Sequence, residues 1–136
     1  MPLHLLKLAV GIENIGALRR IRAARAVERG GHWVYTRNYP RRAAEVLDGG
    51  SIYWIIRGHI RVRQRVIGFH SERDDGGRRY CLIEVDESLV PTSPRAWRPF
   101  QGWRYLPPAD APHDRPEISP GLPDGMLAEL RSLGLI

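Results

Sequence analysis

Three arginines at alternate positions, Arg61, Arg63 and Arg65, are the residues of this chain whose spacing most clearly indicates chemistry. Side chains two positions apart on a strand point to the same face, so the run RVRQR predicts a cationic stripe. Like charges on one face repel each other, and solvent, neighbouring carboxylates or an anionic ligand must compensate. The stripe therefore indicates binding of an anion rather than catalysis of a reaction.

Arg57 and Tyr53 extend this stripe towards the preceding apolar run. Arginines on a pleated face contact successive phosphates of a single strand, and an aromatic ring gives a base a surface on which to stack. The alternative is a solvated outer face balanced by carboxylates such as Glu84 and Asp86. The sequence leaves both interpretations open.

Two further segments combine aromatic and cationic side chains. In RPFQGWRYL, Trp103 and Arg104 either stack against bases or belong to an aromatic hook that seals the core. Arg41 and Arg42 lie at the start of a predicted short helix. One interpretation is a phosphate site, because backbone N–H groups are free at the start of a helix. The other is a charged loop.

Signatures of an enzyme are weak. The histidines have no spacing typical of metal ligands; they are His4, His32, His59, His70 and His113. Cys81 lies in an apolar run and is interpreted as a small buried hydrophobic residue. A catalytic pair of His59 or His70 with Glu72 stays open as an alternative. No metal or organic cofactor is implied.

The chain has 136 residues and a formal net charge of +6, and Lys7 is the single lysine among its 21 basic residues. Arginine favours nucleic acid as a partner, but a GC-rich genome also replaces lysine by arginine. No apolar run approaches the roughly 20 residues of a membrane helix, and no export leader is recognised, so we expect a cytoplasmic protein without a membrane partner. The oligomeric state is not indicated.

Hydrophobic periodicity and turn residues predict the order of elements. Strands are expected at 2–10, 32–37, 51–56, 59–69, 79–85 and 99–106, and helices at 15–28, 41–47 and 124–134. Asn14 is expected to cap the first helix, with Arg22 among its more exposed arginines. Trp54 is assigned to the core. Gly58 is expected to form a bulge or bend within the central strand pair, as at a barrel corner.

Residues 91–99 are interpreted as a connection broken by prolines, and 107–123 as an irregular, proline-rich surface segment. Strands crowded in the middle of the chain, with two or three peripheral helices, indicate the α+β class. The expected architecture is a single domain, 1–136, built on a small, partly closed, mainly antiparallel β-barrel.

The segments LDGGSIYWIIRGHIRVRQRVIGF and RPFQGWRYLPPADAP, together with HLLKLAVGI near the start, resemble a bacterial family catalogued as domain of unknown function 1489. This resemblance implies no established activity. The Tyr-Trp pair, the glycine and the arginine-bearing strand are also similar to PUA-like domains, including the ASCH and EVE groups. That second resemblance implies binding of RNA or of a modified nucleobase.

The sequence thus predicts a small binding module for RNA, single-stranded nucleic acid or a modified nucleobase. The four arginines from Arg57 to Arg65 are expected to hold phosphates, while Tyr53 and Trp103 flank a base. The alternatives are an enzyme that acts on a nucleotide-like substrate and a protein–protein interaction module.

Overall fold

The computed structural model describes residues 2–115. Its elements are β1 (His4–Leu8), α1 (Ile15–Arg29), β2 (Trp33–Thr36), α2 (Ala43–Leu47), β3 (Ser51–Ile56), β4 (His59–Arg73), β5 (Arg79–Val85), β6 (Val90–Ala96), β7 (Trp103–Leu106) and a short 3₁₀ helix (Pro108–Asp110). The predicted helix 124–134 and the part of the proline-rich segment beyond residue 115 lie outside the described residues.

The strands form a mixed sheet in the order β2-β5-β4-β3-β1-β7, with β6 paired to β4 as well. β1 and β3 are parallel, and the other pairs are antiparallel. The first half of β4 pairs with β3 and β6, and its second half pairs with β5. A mainly antiparallel sheet with two α-helices confirms the α+β class. In the described part of the chain the sheet does not close, so the expected partly closed barrel is wrong.

A tight turn, not a bend, separates β3 from β4. Arg57 and Gly58 are the two residues between the strands, and both have positive φ values, 50° and 79°. Two-residue turns with positive φ match the twist of a hairpin. The chain therefore reverses at Gly58, which corrects the expected bulge at that position. The bulge lies further along, where the register between β3 and β4 shifts and leaves Arg61 without a partner on β3.

Both faces of β3 are buried, as expected for an interior strand. Ile52, Trp54 and Ile56 pack into the larger hydrophobic cluster, which includes residues of α1. Tyr53 and Ile55 belong to a smaller cluster on the opposite face, covered by residues from the segment 97–111. The core assignment of Trp54 is confirmed, since its exposed fraction is 4%.

Helix α1 begins and ends where its capping residues predict. The Asn14 side chain accepts a hydrogen bond of 2.7 Å from the Ala17 N–H, and Gly30 follows the last helical residue. Arg22 corrects the expectation of an exposed side chain, because it is buried on the inner face of the helix together with Ile15 and Leu18. No helix within residues 2–115 has the length and hydrophobicity required to cross a bilayer.

The segment 91–99, expected as a connection, contains most of strand β6. Pro91 and Pro94 lack an N–H group, which excludes them from most interior strands but is tolerated where the N–H would face away from a partner. β6 pairs with β4 alone among the other strands, so it supplies such a position.

We expect Gly50→Ala to lower the free energy of unfolding by about 1–3 kcal/mol. A Cβ atom at Gly50 would overlap two backbone carbonyl oxygens. One belongs to Leu3, which precedes β1, and the other to Val46 in α2. Chemical denaturation measures the change. Gly76→Ala is the matched control: its Cβ would lie 3.5 Å from the nearest atom, on Asp74, and it should change stability by less than about 0.5 kcal/mol. Equal stability of the two variants would contradict the close approach.

Candidate functional site

The pairing of β3 and β4 brings some of the predicted site residues to one face of the sheet. Tyr53 lies opposite Arg63, and Ser51 lies opposite Arg65. Since side chains alternate along a strand, these four share a face. They line an open cleft of about 410 Å³, which we call the hairpin cleft. Its lining residues are Pro2, His4, Gly49, Ser51, Tyr53, Arg63, Arg65, Pro108, Ala111, Pro112, His113 and Asp114.

Arg63 is held in the cleft by a bidentate ion pair. Its Nε and Nη2 atoms donate to the two carboxylate oxygens of Asp114, each at 2.7 Å, and Nη1 donates to Ser51 Oγ at 3.1 Å. The hydrogen bonds and charge of Arg63 hold the pKa of the Asp114 carboxyl below its usual range. Two parallel bonds fix the plane of the guanidinium group, so Arg63 is presented in one orientation.

The segment that carries Asp114 is itself attached to β6. Asp114 forms an isolated bridge with Thr92, and the Ser93 N–H donates to the His113 carbonyl oxygen at 2.8 Å. The Arg115 N–H donates to the Pro91 carbonyl oxygen at 3.0 Å. This part of the predicted irregular segment is therefore fixed against the sheet and forms one wall of the cleft.

The cleft also contains neutral polar and aromatic groups. The Ser51 N–H donates to His4 Nδ1 at 3.0 Å, which leaves the proton of a neutral ring on Nε2. Burial, and secondly the charge of Arg63, lower the pKa of His4. The His4 ring meets the Tyr53 ring edge-on, with centroids 4.9 Å apart, and burial raises the pKa of the Tyr53 hydroxyl. Both rings are therefore uncharged at neutral pH.

His4, Ser51 and Asp114 are residue types that occur in nucleophilic catalysis, but their contacts do not form such a site. His4 accepts from the Ser51 backbone and not from its hydroxyl, and Asp114 is bound to Arg63. Ser51 is also 1% exposed. A nucleophile requires a base within reach of its hydroxyl and an open approach for the substrate. The alternative pair of His70 with Glu72 is not formed either, because His70 contacts Glu84 at 3.3 Å.

Arg65 differs from Arg63 in having no side-chain partner in the described part of the chain. Its side chain is exposed, and within residues 2–115 it has no ion pair or side-chain hydrogen bond. Its backbone carbonyl accepts from the Asp86 N–H at 2.8 Å, which fixes the main chain below it. Glu84 and Asp86 were expected to balance the arginines. Asp86 contributes only this backbone contact, and Glu84 contacts His70. The charge of Arg63 is balanced by Asp114 instead.

Arg57 and Arg61 lie at the tip of the β3–β4 hairpin and do not line the cleft. Arg57 is the exposed first residue of the turn. Arg61 is the unpaired residue of the bulge, and its Nε donates to the Ile56 carbonyl oxygen at 3.3 Å. The predicted stripe is therefore divided into two arginines in the cleft and two at the hairpin tip.

Trp103 lies on the opposite side of the sheet from Tyr53. In β7 it pairs with Lys7, packs against the larger hydrophobic cluster and donates from Nε1 to the Asn38 carbonyl oxygen at 2.8 Å. The two rings cannot flank one base, so that arrangement is corrected. The hydrogen-bonded indole matches the aromatic hook instead. Arg104 lies on the Tyr53 side, 4.7 Å from the Phe100 ring centroid.

Arg41 and Arg42 form a surface cluster apart from the hairpin cleft. Arg42 makes an exposed ion pair with Glu45, with Nη2 and Oε1 2.7 Å apart, and its guanidinium carbon lies 5.5 Å from the Tyr105 ring centroid. Arg41 is exposed. The cluster matches the charged-loop interpretation, since α2 has only five residues and Arg42 is already neutralised.

Two residues of the cleft were missed in the sequence. His4 and Asp114 are 47 and 51 positions away from their partners, and no local pattern connects positions so distant. Groups of three or more histidine, cysteine or acidic side chains able to hold a metal ion do not occur within residues 2–115. Cys81 is fully buried, as expected, and burial raises the pKa of its thiol to about 11.

A family model described as "Protein of unknown function (DUF1489)" matches residues 5–136. The matched range includes both motif segments and the pair of Arg63 with Asp114. Comparison with curated proteins and comparison with solved structures give no match. Because the family model covers nearly the whole chain, the protein belongs to the DUF1489 family.

Proposed function

We propose that this protein binds RNA or another single-stranded nucleic acid through the hairpin cleft. The observation that carries the proposal is the guanidinium group of Arg65, which has no partner within residues 2–115, beside the oriented group of Arg63 in a cleft that Tyr53 also lines. Arginine forks donate in a plane that suits phosphate oxygens. The two arginines contact neighbouring phosphates, and a base occupies the cleft beside them. Tyr53 is 4% exposed, so it lines the floor of the cleft and offers no open face for stacking.

The ion pair with Asp114 leaves Arg63 able to contact a ligand. A guanidinium group has five N–H bonds, and Asp114 and Ser51 accept three of them. The other two are free for a phosphate oxygen. Asp114 thus orients the group and also lowers its net attraction for an anion, so the cleft favours a ligand that gains affinity from several contacts.

Size and charge support this class of ligand. The cleft volume of about 410 Å³ lies within the range of roughly 300–1,000 Å³ typical of small-molecule sites, which is sufficient for one nucleobase, including a modified one. A net charge of +6 raises the association rate with any polyanion. An enzyme would need an acid–base pair in the same cleft, and His4 and Asp114 are occupied by other contacts.

We expect Arg65→Ala to weaken binding of a short, labelled single-stranded RNA. A plot of log affinity against log salt concentration has a negative slope, and each lost phosphate contact makes that slope shallower by about 0.7. Fluorescence anisotropy at several salt concentrations measures this slope. Arg78→Ala is the matched control, because it removes the same charge at an exposed position that does not line the cleft. The proposal is wrong if both variants change the slope equally, or if the unmodified protein does not bind.

We expect Asp114→Asn to strengthen binding of the same RNA by on the order of fivefold. Two unit charges about 4 Å apart interact by about 1 kcal/mol in water-like surroundings. The substitution removes the negative charge that would repel a phosphate bound at Arg63. Asp110→Asn is the control, since Asp110 is half-exposed, contacts Arg95 at 3.7 Å and does not line the cleft. Unchanged or weaker binding of Asp114→Asn would place the ligand elsewhere.

A further inference from the structure

A second cavity, of about 310 Å³, lies between α1 and the sheet, and we call it the α1 pocket. It shares no lining residue with the hairpin cleft. Four cationic residues line it, and no aspartate or glutamate is among its lining residues within the described chain. The cations are Lys7, Arg22, Arg25 and Arg29. Such a concentration of one sign in a concave site creates a positive potential inside it.

Arg22 is the central residue of the α1 pocket. It is 6% exposed, its Nη2 donates to the Trp33 carbonyl oxygen, and its Nε is buried without a partner among the described residues. Its guanidinium carbon lies 5.9 Å from the Trp54 ring centroid. Burial, and then the charges of Arg25 and Arg29, lower its pKa to about 10, so the group is still charged at neutral pH.

A buried charge without a counter-ion is costly. Removing an ion from water is unfavourable, and nearby like charges increase the penalty. One backbone carbonyl and one aromatic ring compensate only part of this cost for Arg22. Arg25 and Arg29 form no ion pair with a carboxylate within residues 2–115 that would reduce the repulsion. Within residues 2–115 the positive charge of the pocket is therefore unbalanced, and an anion bound there would balance it.

The cavity continues towards a surface that carries aromatic side chains. A neighbouring cavity of about 610 Å³ shares Arg29 and Tyr35 with the α1 pocket and is also lined by Trp33 and Tyr80. The Tyr35 and Tyr80 rings lie 5.1 Å apart between centroids, and the Tyr35 side chain is 45% exposed. Planar rings stack on such surfaces.

From these two features we infer that the α1 pocket binds the phosphate group of a small phosphate monoester that carries a planar ring, the chemical class of a nucleoside monophosphate. Arg22 lies at the floor of the pocket, where its charge, which no carboxylate of residues 2–115 balances, attracts the phosphate. Arg25, Arg29 and Lys7 balance the dianionic charge from the rim. The ring of the ligand leaves the pocket past Tyr35 and stacks beside Tyr80. The inference does not depend on nucleic-acid binding at the hairpin cleft.

Thermal unfolding of the full chain tests this inference with uridine monophosphate, inorganic phosphate and uridine as probes. A ligand that binds the folded state raises the unfolding temperature with its concentration. We expect uridine monophosphate to stabilise most, phosphate to stabilise less and uridine to have no effect. Sodium chloride at matched ionic strength is the salt control. Equal stabilisation by chloride would overturn the inference, because screening of the four cations would then explain it.

Arg22→Met separates a ligand-binding role from a structural one. If Arg22 binds an anion, the ligand-free variant should unfold at a higher temperature than the ligand-free unmodified protein, because an uncompensated charge is removed. Its affinity for uridine monophosphate should fall on the order of a hundredfold. If Arg22 serves only its contacts with Trp33 and Trp54, the variant loses stability and the unmodified protein does not respond to phosphate. Arg19→Met, on the exposed side of α1, removes the same charge and should keep the response.

Two surface variants keep the test valid should Arg22→Met fail to fold. The exposed pair Arg25→Gln and Arg29→Gln, combined, should weaken uridine monophosphate and phosphate alike by roughly tenfold. Tyr35→Ala should weaken uridine monophosphate and leave phosphate unchanged. Arg65→Ala should leave both unchanged, so failure of this inference and failure of RNA binding at the hairpin cleft are distinguishable. Unchanged affinities in the first two variants would remove the α1 pocket as the site.

Discussion

The pairing of β3 with β4 is the constraint on which both candidate surfaces depend. It sets Tyr53 opposite Arg63, and this register determines which residues of the two strands face the cleft and which face the core. A slip of one position would exchange the two faces and bury a charged row. The bulge at Arg61 absorbs one residue, so Ile60 reaches the smaller cluster while Val62 reaches the larger one. The hairpin can therefore supply apolar side chains to both faces.

Local patterns predicted most of the strands and α1, because alternation and capping depend on neighbours in the chain. The reversal at Gly58 was missed since Arg-Gly is not among the dipeptides that typically mark a hairpin turn, and the apolar run continues on both sides of it. β6 was missed because of Pro91 and Pro94. Proline excludes a segment from an interior strand but not from an edge, and the position of a strand within a sheet is set by tertiary pairing.

The candidate sites were predictable only where one hairpin was sufficient to define them. Asp114 reaches its partner from 51 positions away, so no spacing rule predicts it. The face of Trp103 depends on the register between β7 and β1, which alternation alone does not give. Arg22 left a readable signal, because it follows Ile15 and Leu18 at helical spacing on the inner face. Its charge favours an exposed position, and that expectation is wrong for this residue.

Biased composition, one of the two interpretations of the arginine content, would place arginine at solvated positions, where it replaces lysine at little cost. It does not explain the α1 pocket. Arg63 and Arg42 have carboxylate partners, whereas Arg22 is the more buried and has none among the described residues. Lys7, the single lysine of the chain, lines the same pocket, and burial lowers its pKa. Two partly desolvated cations oppose folding when no carboxylate of residues 2–115 lies between them, and an anion that binds there would return that free energy as affinity.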